Sequence, residues 1–294
     1  MRIAVAGSTG LIGSALTAAL TDSGHQVRRL VRREPLSDGE FGWDPETIGV
    51  PAEAFDGVDA VISLGGVGVG NQRWSGRFKQ QLRDSRITPT EVIAEAVRDA
   101  GVPTLISASA SGYYGDTGDA TATETAPAGA GFLAGLVSDW ENAATANAGP
   151  DTRVVLLRTS PVLSRGGGIL AKLTPIFSLG LGGRIGSGKQ YFSWISLVDE
   201  IRAIEFLLES SIRGPVNLCA PSAVPFAEFV DALGHALHRP TVFAVPGALA
   251  TLVGGELAQE MILFSQRVAP GVLTDNGFEF THPGLSAALA FATK

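Results

Sequence analysis

An apolar β-type run, Ile3-Ala4-Val5-Ala6, leads directly into Gly7-Ser8-Thr9-Gly10-Leu11-Ile12-Gly13. A helical pattern follows, with apolar residues at Leu11, Ile12, Ala15, Leu16, Ala19 and Leu20. Strand, glycine turn and helix in that order form the first half of a dinucleotide-binding βαβ unit. Gly7 turns tightly out of the strand. Gly10 lacks a Cβ, so backbone can approach a pyrophosphate. Gly13 lets the helix pack closely. The helix N-terminus then offers N–H groups and partial positive charge to phosphate. The expected contacts are Gly7, Ser8, Thr9, Gly10, Leu11, Ile12 and Gly13.

Gly24-His25 closes the first helix, and Gln26–Val31 reads as the second strand. An acidic residue at the end of this strand would bind a ribose 2′-hydroxyl; here Arg32-Arg33 stand instead. A guanidinium fork suits a 2′-phosphate, so the expected cofactor is NADP(H), held through Arg32 and Arg33. A short third strand is expected in Phe41–Pro45, and Ala60–Leu64 reads as the fourth. That strand opens into the glycine-rich Gly65–Gly70. Leu64, Gly65 and Gly66 then fall at the carboxyl ends of the strands, where open α/β sheets bind ligands. One long helical pattern runs from Trp74 to Arg98, with Arg86 placed to face a phosphate or a substrate acid. Thr104–Ser109 is the fifth strand, and it runs into Ala110-Ser111-Gly112-Tyr113-Tyr114-Gly115.

Bulk properties narrow the classes. At 294 residues, 45% hydrophobic and 17% charged, the chain is globular and large enough for one big domain or two lobes. A net charge of −7 argues against non-specific nucleic-acid binding. One cysteine, Cys219, and four histidines leave no basis for a disulfide or a metal site. Met1-Arg2 enter a strand at once, and no stretch reaches the roughly 18 apolar residues of a membrane span. The expectation is a cytoplasmic protein, a monomer or homodimer, whose partner is a small-molecule substrate.

The glycine spacing and the serine-rich strand end followed by Tyr-Gly resemble the extended branch of the short-chain dehydrogenase/reductase superfamily. A narrower pattern is similar to the atypical epimerase-family proteins, often labelled nucleoside-diphosphate-sugar epimerases. It comprises Arg73-Trp74, Asp84–Ile87, Ser107–Asp116, Phe132–Ala134, Asp139-Trp140-Glu141, Arg158–Leu163, Leu179–Gly183 and Gly186–Gly188. The resemblance implies a Rossmann-type, doubly wound parallel sheet with a smaller, mostly helical C-terminal substrate lobe. The expected cofactor domain is 1–162 plus 196–220, and the expected substrate lobe 163–195 plus 221–294. The resemblance further implies that Pro161 and Val162 touch the nicotinamide carboxamide.

The superfamily's usual proton relay is a tyrosine and a lysine four residues apart on the helix after the fifth strand. The lysine lowers the tyrosine pKa, and a Ser/Thr holds the substrate oxygen. Anchored on Glu141, the resemblance puts Leu133 and Val137 at those two positions, and neither can move a proton. The remaining oxygen-binding candidates are Ser109, Ser111 and Tyr113. The activity expected is that of an NADP(H)-dependent oxidoreductase or epimerase acting on a small carbonyl, hydroxyl or sugar-nucleotide substrate. The alternative is a non-catalytic NADPH-binding sensor or interaction protein.

Overall fold

The computed structural model describes residues 1–293. Strands are β1 Arg2–Ala6, β2 Gln26–Val31, β3 Glu40–Gly42, β4 Ala60–Ser63, β5 Thr104–Ala110, β6 Arg153–Thr159, β7 Val162–Ser164, β8 Gly183–Ile185, β9 Tyr191–Phe192, β10 Ile195–Ser196, β11 Gly214–Leu218, β12 Val224–Pro225 and β13 Phe243–Val245. Helices are α1 Leu11–Asp22, α2 Gly76–Asp84, α3 Ile87–Asp99, α4 Phe132–Asn147, α5 Gly168–Ser178, α6 Leu197–Glu209, α7 Phe226–Ala236, α8 Gly247–Ala258, α9 Gly271–Asp275 and α10 Leu285–Ala292.

A seven-stranded sheet runs in the order β11-β6-β5-β4-β1-β2-β3. β1 pairs in parallel with both β2 and β4, so the strand order reverses direction beside β1. This is the doubly wound Rossmann arrangement, whose ligand crevice opens at that reversal. Its central strands carry apolar runs, Ile3–Ala6 in β1 and Ala60–Ile62 in β4, because helices cover both faces of such a sheet. Ile3, Ala4 and Val5 are fully buried, as are Ala60, Val61 and Ile62.

The chain divides into two compact units. The first is Met1–Ser109, Leu136–Leu157 and Ile204–Pro215; the second is Ala110–Gly135, Arg158–Ala203 and Val216 to the C-terminus. The first unit's core joins Leu30, Val61, Ile93, Val97, Leu105 and Leu156. The second unit has its own core of Leu163, Phe177, Trp194, Phe229, Leu233 and Leu289. The sequence-based lobes were cut at motif boundaries, 162/163, 195/196 and 220/221. Packing groups the segments 110–135, 158–162, 196–203 and 216–220 with the second unit.

One helical pattern differs from expectation. The pattern read as one helix from Trp74 to Arg98 is α2 and α3, broken at Ser85-Arg86. Pro89 explains the break: it has no N–H to give to the Ser85 carbonyl, so an uninterrupted helix loses a rung there. The break swings Ser85 and Arg86 towards the glycine-rich loop, where Ser85 Oγ accepts from Val67 N at 3.2 Å. Further on, α8 is followed by a wider turn over Gln259–Leu263. Gly255 departs from the helix at φ 62°, a conformation glycine reaches without steric cost.

The turn between β1 and α1 is set by two glycines. Gly7 has φ +78°, and a Cβ on it would lie 2.9 Å from the Leu64 carbonyl carbon. A Cβ on Gly13 would fall on the Gly7 carbonyl oxygen. Gly13 therefore packs the first turn of α1 on the glycine turn itself. Both neighbours are backbone and cannot swing aside. Gly13→Ala is therefore expected to destabilise the fold by about 1–3 kcal/mol, read as a lowered midpoint in urea unfolding.

Candidate functional site

A cleft of about 530 Å³ opens within the first unit. Its floor is the glycine turn Gly7-Ser8-Thr9-Gly10. Its walls are Arg32, Arg33 and Trp43 on one side, and Leu64, Gly65, Gly66 and Val67 on the other. Ser85, Pro89, Thr90 and Ile93 close the back. Of the residues expected to hold a cofactor, Gly7, Ser8, Thr9, Gly10, Arg32, Arg33, Leu64, Gly65 and Gly66 thus line one cavity. Leu11, Ile12 and Gly13 form the first turn of α1 directly behind it. Pro161 and Val162 belong to the second unit, where Val162 opens β7 and pairs with Ile195.

The cleft floor suits an anion. Gly10 caps α1 without a side-chain hydrogen bond, and no acidic residue stands in the first turn. The free N–H groups of that turn and the helix dipole both favour negative charge there. A Cβ on Gly10 would meet only the Gly7 oxygen, at 3.4 Å. The space above Gly10 is thus open to a ligand, as the sequence reading requires.

The two arginines after β2 have different surroundings. Arg33 donates to both oxygens of Glu40, Nη1 to Oε2 and Nη2 to Oε1, each at 2.7 Å. Glu40 also accepts from Leu36 N at 2.8 Å and pairs with Arg29 at 3.3 Å. The Arg33 hydrogen bonds, then the Leu36 N–H, hold its carboxyl down at about 2. Arg32 has no carboxylate partner among the described residues; its guanidinium lies 5.4 Å from the Trp43 ring centre. The cleft thus holds one arginine fixed by a buried acid and one available cation. Arg29 Nε reaches Ser8 Oγ at 3.4 Å, adding a third positive group beside the glycine turn.

Arg86 does not line the cleft. It lies behind the glycine-rich loop, donating to Val67 O at 2.9 Å and Leu82 O at 3.2 Å. Its guanidinium is 5.2 Å from the Trp140 ring centre. Burial pulls its pKa down to about 10. Its geometric role is to pin the loop that walls the cleft.

The motif Asp139-Trp140-Glu141 on α4 organises the back wall. Asp139 pairs with Arg83 of α2, Trp140 Nε1 donates to Thr90 Oγ1 at 2.8 Å, and Glu141 accepts from Ser109 Oγ at 2.6 Å. Consecutive side chains thus tie α4 to α2, α3 and β5. The sequence reading quoted this motif without a role, because its partners lie 32 to 56 residues away. Also missing from that reading are Trp43, Ser63, Val67, Ser85, Pro89, Thr90 and Ile93, which share no local motif. A signal for Trp43 existed in its place just after the short third strand.

The oxygen-binding candidates have distinct settings. Ser109 is buried, and its hydroxyl is engaged by Glu141. Ser111 is buried in the second unit and donates to Gln266 Oε1 at 3.3 Å. Tyr114 donates to Asn217 Oδ1 at 2.6 Å and accepts from Arg158 Nη1 at 3.0 Å; burial pushes its pKa up to about 12. It is a structural tyrosine. The half-buried Tyr113 ring has the Arg158 guanidinium 3.5 Å from its centre and Tyr114 edge-on at 5.3 Å. Among the described residues its hydroxyl has no hydrogen-bond partner. Asp199 holds the segment before α10 by accepting from Thr281 N at 2.6 Å and His282 N at 2.9 Å. Ser196 caps α6 by accepting from Asp199 N at 3.0 Å.

Comparison with known proteins adds independent findings. The NAD dependent epimerase/dehydratase family matches residues 3–219, and a domain of unknown function, DUF1731, matches residues 245–292. An epimerase family protein of Mycobacterium bovis is 51% identical over 292 residues, covering 99% of this chain and 97% of that one. The human epimerase family protein SDR39U1 is 37% identical over 295 residues, with 98% of each chain covered. The crystal structure of human SDR39U1 (isoform 2) with NADPH superposes at a TM-score of 0.91 and 34% identity, covering 100% of this chain and 99% of that one.

Glu40 gives this region a pH signature. Its carboxyl titrates near 2 in the folded chain, below its ordinary value of 4.5. It therefore stabilises the fold fully above pH 4.5, and this contribution fades as pH falls through about 2. Glu40→Gln is expected to be less stable than the parent at neutral pH. The difference should shrink on acidification below 4.5, measured by urea unfolding across pH.

Proposed function

As a member of the NAD dependent epimerase/dehydratase family, this chain, we propose, is an NADPH-binding, epimerase-like protein whose cofactor occupies the cleft of the first unit. The observation that carries this reading is Arg32, a cation without a carboxylate partner at the end of β2, lining the same cleft as the glycine turn. In this reading Arg32 grips the 2′-phosphate, and Trp43 holds its guanidinium flat. Gly10 and the first turn of α1 receive the pyrophosphate. Leu64, Gly65 and Gly66 pass along the cofactor's middle, with Arg86 keeping their loop in place. Pro161 and Val162 are assigned to the nicotinamide carboxamide by family resemblance. The relative's structure with NADPH supports the same cofactor.

NADPH supplies hydride chemistry when bound; the protein positions and polarises. The substrate is a small carbonyl, hydroxyl or sugar-nucleotide compound. Its reacting oxygen is assigned to Tyr113, whose hydroxyl has no partner of its own among the described residues. Ser111 is a weaker donor because it already serves Gln266, and Ser109 weaker still because Glu141 engages it. With Leu133 and Val137 on α4, no lysine stands four residues after a tyrosine to acidify it. Tyr113 then acts as a hydrogen-bond donor rather than a general acid. The same two residues, together with the engaged Ser109, favour a second reading, an NADPH-binding sensor without turnover.

Calorimetry tests the cofactor assignment. The protein should bind NADPH more tightly than NADH. Arg32→Ala should remove most of that preference, about 1–3 kcal/mol for a charge-assisted contact. Equal affinity for both cofactors in the parent protein contradicts the assignment.

Cofactor oxidation with a panel of carbonyl compounds and nucleotide-sugars separates the two readings. A site without acid–base help should turn over at least about a hundredfold more slowly than one with it. Tyr113→Phe should lower that rate further and leave the NADPH affinity unchanged. No turnover on any substrate supports the sensor. Rapid epimerisation of a nucleotide-sugar that is insensitive to Tyr113→Phe contradicts the assignment of Tyr113.

A further inference from the structure

Among the described residues, Glu200 is the most deeply buried acid of the second unit, with no exposed surface. It sits in the first turn of α6. Thr159 Oγ1, at the end of β6, donates to its Oε1 at 2.9 Å. The other oxygen, Oε2, has no hydrogen-bond partner, and no cation pairs with this carboxyl among the described residues. The ion pairs of this turn belong to Asp199 instead.

The other buried acids of this unit are supplied with donors, as a charge removed from water requires. Asp199 accepts from Ser196 Oγ, Thr281 N and His282 N. Glu124 accepts from Asn217 N and Val272 N, and Glu260 from Phe132 N and Leu133 N. Glu200 has a single hydroxyl. A dry carboxylate with an unpartnered oxygen is far costlier than a neutral carboxyl in the same place. The first turn of a helix favours an anion, and Asp199 with its three donors already fills that part in α6.

The charged and titratable groups on the neighbouring segments are engaged elsewhere. Arg158, next to Thr159, donates to Tyr114 Oη at 3.0 Å and to Glu124 O at 3.3 Å. Arg202 of α6 donates to Glu279 O and Thr281 Oγ1 and pairs with Asp199 at 3.6 Å. His282 Nδ1 lies 3.1 Å from Ser196 Oγ. Cys219 Sγ donates to Val268 O at 3.6 Å; burial, then Glu124 and Glu200, push its thiol well up, so it brings no charge to the cluster. Burial likewise pushes the Glu200 carboxyl up to about 8, with the Thr159 hydroxyl drawing it the other way.

We propose that Glu200 is a proton-holding switch of the second unit: as an uncharged carboxylic acid it keeps the first turn of α6 on the end of β6, and on losing its proton it releases that contact. Oε1 accepts from Thr159, which leaves the proton to Oε2. Ionisation puts a charge on an oxygen without a donor, so the carboxyl turns towards water and the Thr159 contact breaks. The chain runs from Thr159 through Ser160, whose N donates to Leu218 O at 3.0 Å, into β7, so the release acts on the passage from β6 to β7. The folded carboxyl titrates above its ordinary 4.5. The neutral acid therefore stabilises the fold fully below pH 4.5, and this contribution is lost as pH rises through about 8.

Infrared spectroscopy of the full chain in heavy water reads the proton directly. At neutral pH the parent should show the carbonyl stretch of a protonated carboxylic acid, fading as pH rises through about 8, and Glu200→Gln should lack it. Urea unfolding across pH reads the energetic counterpart. Relative to Glu200→Gln, the parent's folding constant should fall by up to about tenfold per pH unit between 4.5 and about 8. The four histidines are common to both proteins, so the difference isolates Glu200. Above about pH 8, hydrogen exchange of the α6 amides, compared at equal pH, should be at least about tenfold faster in the parent than in the variant. Should Glu200→Gln fail to fold, Glu200→Met, also uncharged, takes its place, and the parent's own band still decides the protonation state. No such band in the parent at neutral pH overturns the proposal. So does a band that the variant keeps, the same pH dependence of folding in both proteins, or equal exchange at the higher pH. None of these readouts involves NADPH, so they succeed or fail apart from the cofactor assignment.

Discussion

The first unit depends on the contact between Gly13 and the Gly7 carbonyl. This backbone-on-backbone approach sets how closely α1 follows β1. It points the uncapped first turn of α1 at the floor of the cleft. Gly7, at φ +78°, also packs against the Leu64 carbonyl. The turn after β1 and the loop after β4 are thereby locked together at the reversal of strand order. A larger side chain at either glycine would separate the two walls that a dinucleotide must bridge.

Around that fixed point the structure divides its polar groups between support and recognition. Glu40 engages both Arg33 and Arg29 beside the cleft, and among the described residues Arg32 is left without a carboxylate partner. Arg86 carries its charge behind the loop, where it shapes the wall without reaching the cavity. Ser109 and Glu141, like Tyr114, Asn217 and Arg158, form closed pairs and chains of hydrogen bonds. A buried polar group is costly without a partner, so most of these side chains are committed to the fold. Tyr113 differs, with its ring under the Arg158 guanidinium and its hydroxyl without a hydrogen-bond partner among the described residues.

Tyrosines and serines such as Tyr113, Tyr114, Ser109 and Ser111 resemble a catalytic set when viewed as letters. Hydrogen-bond partners sort them. The family's usual relay needs a lysine close to the tyrosine, and the resemblance implies that Val137 on α4 takes its place. Under the proposed reading the cleft binds the cofactor and lacks a proton relay, and sensing and slow catalysis are the two functions that follow.

Sequence by itself determined the Rossmann order, because a glycine turn between an apolar run and an amphipathic run is dictated by local backbone geometry. It also determined most of the cleft floor and both arginines, since these sit at fixed offsets from strand ends. It gave no means to distinguish Arg32 from Arg33, because the difference lies in Glu40, which reaches Arg33 from another strand. It placed Arg86 facing a phosphate or a substrate acid, whereas packing put it behind the loop through a helix break that Pro89 imposes. The ties of Asp139, Trp140 and Glu141 were illegible for the same reason: their partners come from distant stretches of chain. Local chemistry specifies elements and turns. Which polar groups stay free for a ligand is decided only when the folded chain has matched each of the others with a partner.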